Sequence, residues 1–370
     1  MRLPLRMVAA LLAMIAGCAP RPGVEALQLV PETRELDTVT IHVATNRSAL
    51  PPETPGAPSP GFGTARTLGL AGVRYTLSIP PTHRTGEIEW PGDPPDSATS
   101  MTVVERRDMR LPDLVNDIAT GPWRHHVRVF VHGYNTNFPE GLFRLAQITR
   151  DSGDPGASLL FSWPSVGTLA GYAADQEAAT YSRDYLAGLL KSLARDRRIG
   201  QITVLGHSMG GWLVMESLRQ LRLAGDDATI ARLEVILAAP DIDIDVFRTQ
   251  LDVLGPLDPP LTVLVSTDDR ALQISRRVNA SRARVGALDI SDPRIVSAAA
   301  AANVALIDIG SIRAPQVSRH SRYAMLAALY PEISEHGGRM LADAGAFVLE
   351  RAGAAVASPF VLIARGLAPN

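Results

Sequence analysis

Cysteine occurs once in the 370 residues, at Cys18. No disulfide can form within the chain, so in an oxidising compartment its stability must come from packing alone. Charge of one sign is also lacking: 36 basic and 38 acidic side chains give a formal net charge of −2. That balance offers no electrostatic case for binding nucleic acid. Nearly all the basic residues are arginine, with Lys191 a rare exception. Long apolar runs are missing too. The one near the N-terminus has about eleven residues, short of the roughly 20 that a membrane-spanning helix needs. With 46% hydrophobic and 20% charged residues the chain is not of disordered composition. It can bury one large core or two smaller ones.

The residues around the single cysteine carry information. Arg2 and Arg6 form a short positive region, residues 7–16 are apolar, and Ile15-Ala16-Gly17-Cys18 ends the run with small side chains. This is the pattern of a secretory signal over residues 1–17. Ile-Ala-Gly-Cys resembles the lipobox of bacterial lipoproteins. That resemblance implies cleavage before Cys18, acylation of its sulfur and of the new N-terminus, and a lipid-bilayer partner in the cell envelope. Ala19, rather than aspartate, after the cysteine favours onward sorting to the outer membrane.

Residues 18–38 read as a tether, and 39–370 as a single domain with a β-rich beginning. Residues 39–44, 73–79 and 101–105 are strand candidates by their β-branched content, and 50–63 is a Pro/Gly-rich loop. From about residue 124 apolar strands alternate with longer helical patterns. That is the signature of a mostly parallel sheet with helices on both faces. The strands fall at 127–131, 158–162, 202–205, 233–238, 261–266 and 304–309, and the helices at 140–151, 175–195, 209–223 and 271–278. The alanine-rich stretch 340–367 reads as a helix lying on the core, with membrane or partner contact as an alternative.

Gly206-His207-Ser208-Met209-Gly210 lies between the strand ending near Leu205 and the helix starting near Met209. A serine at such a corner is a nucleophile elbow. The glycines permit the sharp turn, and the helix N-terminus supplies N–H groups that favour an oxyanion. The base follows the nucleophile in this architecture, which leaves His320 and His336. His320 follows the strand at 304–309 by a short polar loop, whereas His336 reads as a helix boundary, so His320 is the candidate base. The acid belongs after the strand at 261–266, where Asp268 and Asp269 both stand. A rival lies in Asp241, Asp243 and Asp245. Their spacing is not that of a calcium loop, since Val246 and Asp252 replace the required glycine and glutamate. They read instead as a solvated loop with aspartate caps on a following helix. Met209 and Tyr134 are the candidate oxyanion N–H donors, Tyr134 lying in the glycine turn after Val129-Phe-Val-His132. His132 reads as a brace for that loop. Trp163, Ser165, Tyr172 and Asp175 follow a strand, and packing plus a helix start account for them as well as a pocket wall does.

The segments FVHGYNTNF (130–138), FSWPS (161–165), GHSMGG (206–211), AAPDID (238–243) and TDDRAL (267–272) together resemble the DUF900 family of α/β-hydrolases. The likeness spans roughly 39–330, with Ala44-Thr-Asn-Arg47 and Ile79-Pro-Pro81 resembling its N-terminal portion. The resemblance implies an α/β-hydrolase fold and, at most, carboxylic ester hydrolysis. It also implies Asp269 rather than Asp268 as the acid, because the family spacing Ser-x-x-Asp-x-Ala-Leu falls on Ser266, Asp269, Ala271 and Leu272. Its terminal histidine is similar to His320.

The sequence thus leads to an acyl-transfer enzyme acting on a small ester or acyl substrate, with no metal or organic cofactor. Ser208 is the nucleophile, His320 the base and Asp269 the residue that orients it. Two other readings use the same residues: a non-catalytic envelope binding protein on a hydrolase scaffold, and an acyltransferase.

Overall fold

The computed structural model describes residues 21–31, 37–52, 54, 59–267, 283–310 and 323–326. The short apolar segments of the second half become parallel strands because both of their faces are covered. Every residue of β5 (Ala157–Ser162) and β8 (Leu261–Val265) is buried. A strand clothed on both sides reads as an unbroken apolar run rather than an alternating one. Together with β4 (His126–Val131), β6 (Gln201–His207), β7 (Leu233–Ala238) and β9 (Val304–Asp308), they form the parallel part of one nine-stranded sheet, order β3-β2-β1-β5-β4-β6-β7-β8-β9.

The β-rich beginning is part of that sheet rather than an addition to it. β1 (Asp37–Ala49) pairs in parallel with β5, Ile41 opposite Ser158, while β2 (Phe62–Ile79) and β3 (Thr102–Met109) follow antiparallel at the edge. β2 starts eleven residues earlier than its apolar core suggested. Its first half is largely solvent-facing, so it lacks the alternation that marks a half-buried strand. The stretch expected to be a tether is, in its described part, docked. Val24–Leu27 form a 3-10 turn with Ala26 and Leu27 buried, and the Val30 N–H donates to Val103 O at 2.9 Å.

Helices cover both faces. On one lie α1 (Leu111–Thr120), α3 (Tyr172–Arg195), α4 (Met209–Leu223), α5 (Asp227–Ile230) and α6 (Ile244–Leu254), burying Leu114, Leu186, Leu190, Leu213 and Phe247. On the other, α2 (Phe138–Ser152) buries Leu142, Phe143 and Ala146 beside Tyr323 of the short α8 (Tyr323–Leu326). Asn137 and Glu140 close a reciprocal capping box at the start of α2, with both bonds at 2.9 Å. α7 (Pro293–Ala301) has the signals of a start, an Asp292 cap and Pro293, but buries none of its residues fully. Its alanine face leaves no apolar stripe to recognise in the sequence. The helix expected at 271–278 and the stretch 340–367 lie outside the described residues. Among the described residues no helix is long and apolar enough to cross a membrane.

Away from the sheet's C-terminal edge, His83 ties the loop after β2 to the end of α2. Its Nδ1 faces Glu89 and its Nε2 faces Asp151, each at 2.9 Å. The Asp151 hydrogen bond is the main cause of a pKa raised above the ordinary 6.5, with partial burial opposing it. A raised folded pKa contributes stability that is complete below the unfolded value and lost as pH rises through the folded one. The melting-temperature gap between wild type and His83→Gln should therefore be widest near about pH 6 and narrow towards about pH 9. Paired thermal melts across that range check this, and a gap that widens with pH would contradict it.

Candidate active site

The chain leaves β6 at His207, turns at Ser208 and enters α4 at Met209. Ser208 has φ 55° and ψ −121°, a conformation that L-residues adopt only under strain. Surrounding bonds hold it there: its N–H donates to Ala238 O at 2.9 Å, and its carbonyl accepts from Gly211 N at 2.9 Å and Asp241 N at 3.2 Å. The helix start leaves the Met209 N–H without an intrahelical acceptor. Gly210 is needed for close approach. A Cβ there would overlap the carbonyl oxygens of Val131 and His132 at the end of β4. Gly210→Ala must push α4 off that strand. A loss of about 1–3 kcal/mol is expected, measured as a shift in urea midpoint with unchanged slope.

A second element crosses the elbow. A Cβ on Gly133 would lie 3.0 Å from Ser208 Cβ and 2.9 Å from His207 Nδ1, so the turn after β4 runs directly against the serine. Tyr134 follows. Among the described residues its N–H meets no acceptor, while its hydroxyl donates to Leu169 O at 2.5 Å and its ring meets Tyr172 edge-on at 5.2 Å. The turn that carries Tyr134 and the start of α4 at Met209 thus meet at Ser208, a corner that is itself only 4% exposed. A tetrahedral oxyanion requires a pair of N–H donors.

His132 braces this turn, as its place before the nucleophile suggested. It is buried, stacks on Trp163 with ring centres 4.9 Å apart, and faces Gly133 O through Nδ1 and Trp163 O through Nε2. Burial, with Arg47 nearby, lowers its pKa to about 3. The ring is therefore neutral and can donate to only one of the two carbonyls. Trp163 is equally structural, its indole N–H donating to His132 O at 2.8 Å.

Two charged residues missing from the expected site organise it. Asp175 is not the cap of α3, since Gly171 holds that position. Its buried carboxylate accepts from Asn135 N (3.0 Å), Ser165 Oγ (2.6 Å) and Val166 N (2.6 Å). Arg47, at the end of β1, is also buried. It donates to Ser162 Oγ (2.9 Å), Gly63 O (3.1 Å), Ser165 O (3.0 Å) and Thr136 O (2.9 Å). Desolvation lowers the Arg47 pKa, and the fields of Asp175 and Glu140 oppose that. Together these two residues lock the loops after β4 and β5 to each other. Buried hydrogen-bond networks without a local pattern leave no sequence signal beyond the Thr-Asn-Arg47 segment.

Asp268, Asp269, His320, His336 and Cys18 lie outside the described residues. The segments flanking the triad candidates do reach the site. Thr267 lies two residues beyond the end of β8, which is two strands from β6 in the sheet. Tyr323, three residues after His320, is buried and stacks on His207 with ring centres 4.2 Å apart. The aspartates after β7 divide into two kinds. Asp243 caps α6 through Asp245 N at 2.9 Å, as its spacing suggested. Asp241, expected in a solvated loop, is buried. It pairs with Arg284 Nε at 3.2 Å and accepts the Tyr172 hydroxyl at 2.9 Å, because its own N–H is tied to Ser208 O. Among the described residues no group of three or more His, Cys, Asp or Glu side chains can hold a metal ion.

No functionally curated protein matches the chain. Among solved structures, a lipase-esterase related protein from Clostridium acetobutylicum is similar at 13% identity, with TM-score 0.30, covering 58% of this chain and 96% of that one. An esterase from Pyrobaculum calidifontis is similar at 14% identity, with TM-score 0.30, covering 71% of this chain and 81% of that one. A Rhizomucor miehei esterase is similar at 11% identity, with TM-score 0.34, covering 89% and 97%. The family model of an α/β-hydrolase of unknown function, DUF900, matches residues 113–336. The stretch 39–112, where a likeness was also expected, lies outside that match. With an elbow between β6 and α4, a mostly parallel sheet and helices on both faces, the chain belongs to the DUF900 family of α/β-hydrolases.

Proposed function

We propose that the protein is a serine hydrolase that cleaves carboxylic esters through an acyl-enzyme on Ser208. The observation that carries this reading is the strained backbone of Ser208 at a helix N-terminus, with the Gly133 turn packed against its Cβ. In the proposed reaction His320 takes the Ser208 hydroxyl proton as Oγ attacks the ester carbonyl. Asp269 holds the imidazole in the required tautomer, and the Met209 and Tyr134 N–H groups receive the developing oxyanion. The protonated His320 then gives its proton to the departing alcohol. Water, deprotonated by the same imidazole, releases the acid and restores Ser208. The protein is further proposed to be held in the bacterial envelope, on the periplasmic side, by acylated Cys18. The sequence Ile15-Ala16-Gly17-Cys18 supports that placement.

An active-site-directed fluorophosphonate tests the catalytic reading. Wild type should be labelled and Ser208→Ala should not. p-Nitrophenyl esters of increasing chain length should be hydrolysed by untreated wild type and not by Ser208→Ala or by probe-treated protein. A folded wild-type protein that neither reacts with the probe nor turns over any ester would instead support a binding role.

A further inference from the structure

From the contacts of Arg21 we infer that the lipid anchor is pinned beside the active-site mouth, so that this mouth faces the bilayer and takes acyl esters held in the membrane. The inference rests on the acylation of Cys18 and the hydrolase reading proposed above.

Arg21 stands three residues after Cys18, a reach of at most about 11 Å for an extended chain. Pro20 and Pro22 flank it and restrict the backbone on either side. Its guanidinium is spent on the rim of the site. Nε donates to Glu140 Oε1 at 2.8 Å, and Nη1 donates to Asn135 Oδ1 at 2.6 Å and also to Gly167 O. Nη2 donates to Asn135 O at 2.7 Å and pairs with the second Glu140 oxygen. The next residue is tied as well, Pro22 O accepting from Asn137 Nδ2 at 2.7 Å. A lone exposed ion pair has little geometric authority. A guanidinium whose three nitrogens all bind, with a neighbouring carbonyl also held, fixes a chain direction.

Asn135 follows Tyr134 in the turn over Ser208, and Gly167 lies in the loop after β5. Both loops sit at the C-terminal edge of the sheet, where Ser208 opens. Two residues past Gly167, Leu169 is 79% exposed, with its carbonyl held by the Tyr134 hydroxyl. A large apolar side chain standing in water, on a loop bonded to the oxyanion turn and within reach of the anchor, fits the interfacial zone of a bilayer. Leu223, 59% exposed, is the natural comparison. It ends the helix that Ser208 opens, about 22 Å away along α4.

Nitroxide labels on introduced thiols test this in the mature lipoprotein reconstituted into phosphatidylcholine vesicles. Cys18 is the only native cysteine and is blocked when acylated. Intact mass is measured first, and absence of acyl chains on Cys18 overturns the anchor itself. On acylated protein the Leu169→Cys label should collide at least threefold more with oxygen, relative to a water-soluble nickel chelate, than the Leu223→Cys label. The difference should vanish in Cys18→Ser protein and fall in Arg21→Ala. Equal accessibility at both positions in acylated protein overturns the orientation alone, and so does a label at 169 shielded from both reagents by a protein contact. Persistence of the difference in Arg21→Ala overturns the pin. As a functional readout, Leu169→Asp should lower the ratio of turnover on a vesicle-embedded diacylglycerol ester to turnover on soluble p-nitrophenyl acetate at least tenfold. An unchanged ratio overturns the substrate class, and wild type inert on both esters overturns the hydrolase reading instead.

Discussion

Ser208→Ala is expected to lower ester turnover at least about a thousandfold while leaving the urea midpoint near that of wild type, and His320→Ala should do the same. The two losses should not multiply, because nucleophile and base act as one unit. The double variant should be about as slow as either single one, the remaining rate coming from the oxyanion donors and binding. Asp269→Asn should cost on the order of ten-thousandfold, because an amide in place of the carboxylate holds the imidazole in the wrong tautomer. Asp268→Asn should cost under about tenfold, since two carboxylates crowded on one imidazole would raise each other's pKa, so that only one can serve it. Steady-state kinetics on one ester decide all four variants. Near-normal turnover in His320→Ala with loss in His336→Ala would move the base. A reversed ranking of the two aspartates would move the acid. Full activity in both would turn attention to Asp241, whose N–H already holds the Ser208 carbonyl.

Ser208 was legible in the sequence because everything that places it is local. A strand, two glycines and a helix start within a few residues make the corner, and the structure puts α4 at Met209–Leu223 and β7 at Leu233–Ala238, as their apolar patterns indicate. Asp175 and Arg47 were not legible as site builders for the opposite reason. Arg47 meets Ser165 across 118 positions and Thr136 across 89, and Asp175 meets Asn135 across 40. No periodicity encodes such pairings, so a helix start was the natural reading of Asp175. The docking of residues 21–31 escaped for a related reason. Arg21 and Pro22 look like linker composition until the rim they bind is in place. Asp241 shows the same limit within a single motif. Its spacing to Asp243 and Asp245 is regular, but its burial comes from Arg284 and Tyr172 on other elements.

The pairing of Arg47 with its acceptors leads to the second large effect expected, Arg47→Met. The thioether fills much of the volume but donates nothing. Gly63 O, Ser165 O, Thr136 O and Ser162 Oγ would each lose the guanidinium donor inside the fold, and the buried Asp175 carboxylate would lose its neighbouring cation. Leaving a buried acceptor without its donor costs about 1–3 kcal/mol, and loss of the nearby cation raises the cost of keeping the Asp175 carboxylate buried. The urea midpoint should fall accordingly. Arg47→Lys should recover only part of the loss, since one ammonium cannot reach acceptors arranged around a planar fork. Catalysis should suffer separately from stability. Thr136 lies two residues after Tyr134, so releasing its carbonyl frees the turn that carries the proposed oxyanion donor, and losing one such donor costs about 10²–10³ in kcat. The decisive measurement is kcat at a temperature where Arg47→Met is still fully folded by circular dichroism. A kcat within threefold of wild type there would mean that Asp175 alone positions the turn. A stability loss under about 1 kcal/mol would mean that water replaces the guanidinium at these carbonyls, and that Arg47 does not hold the two loops together.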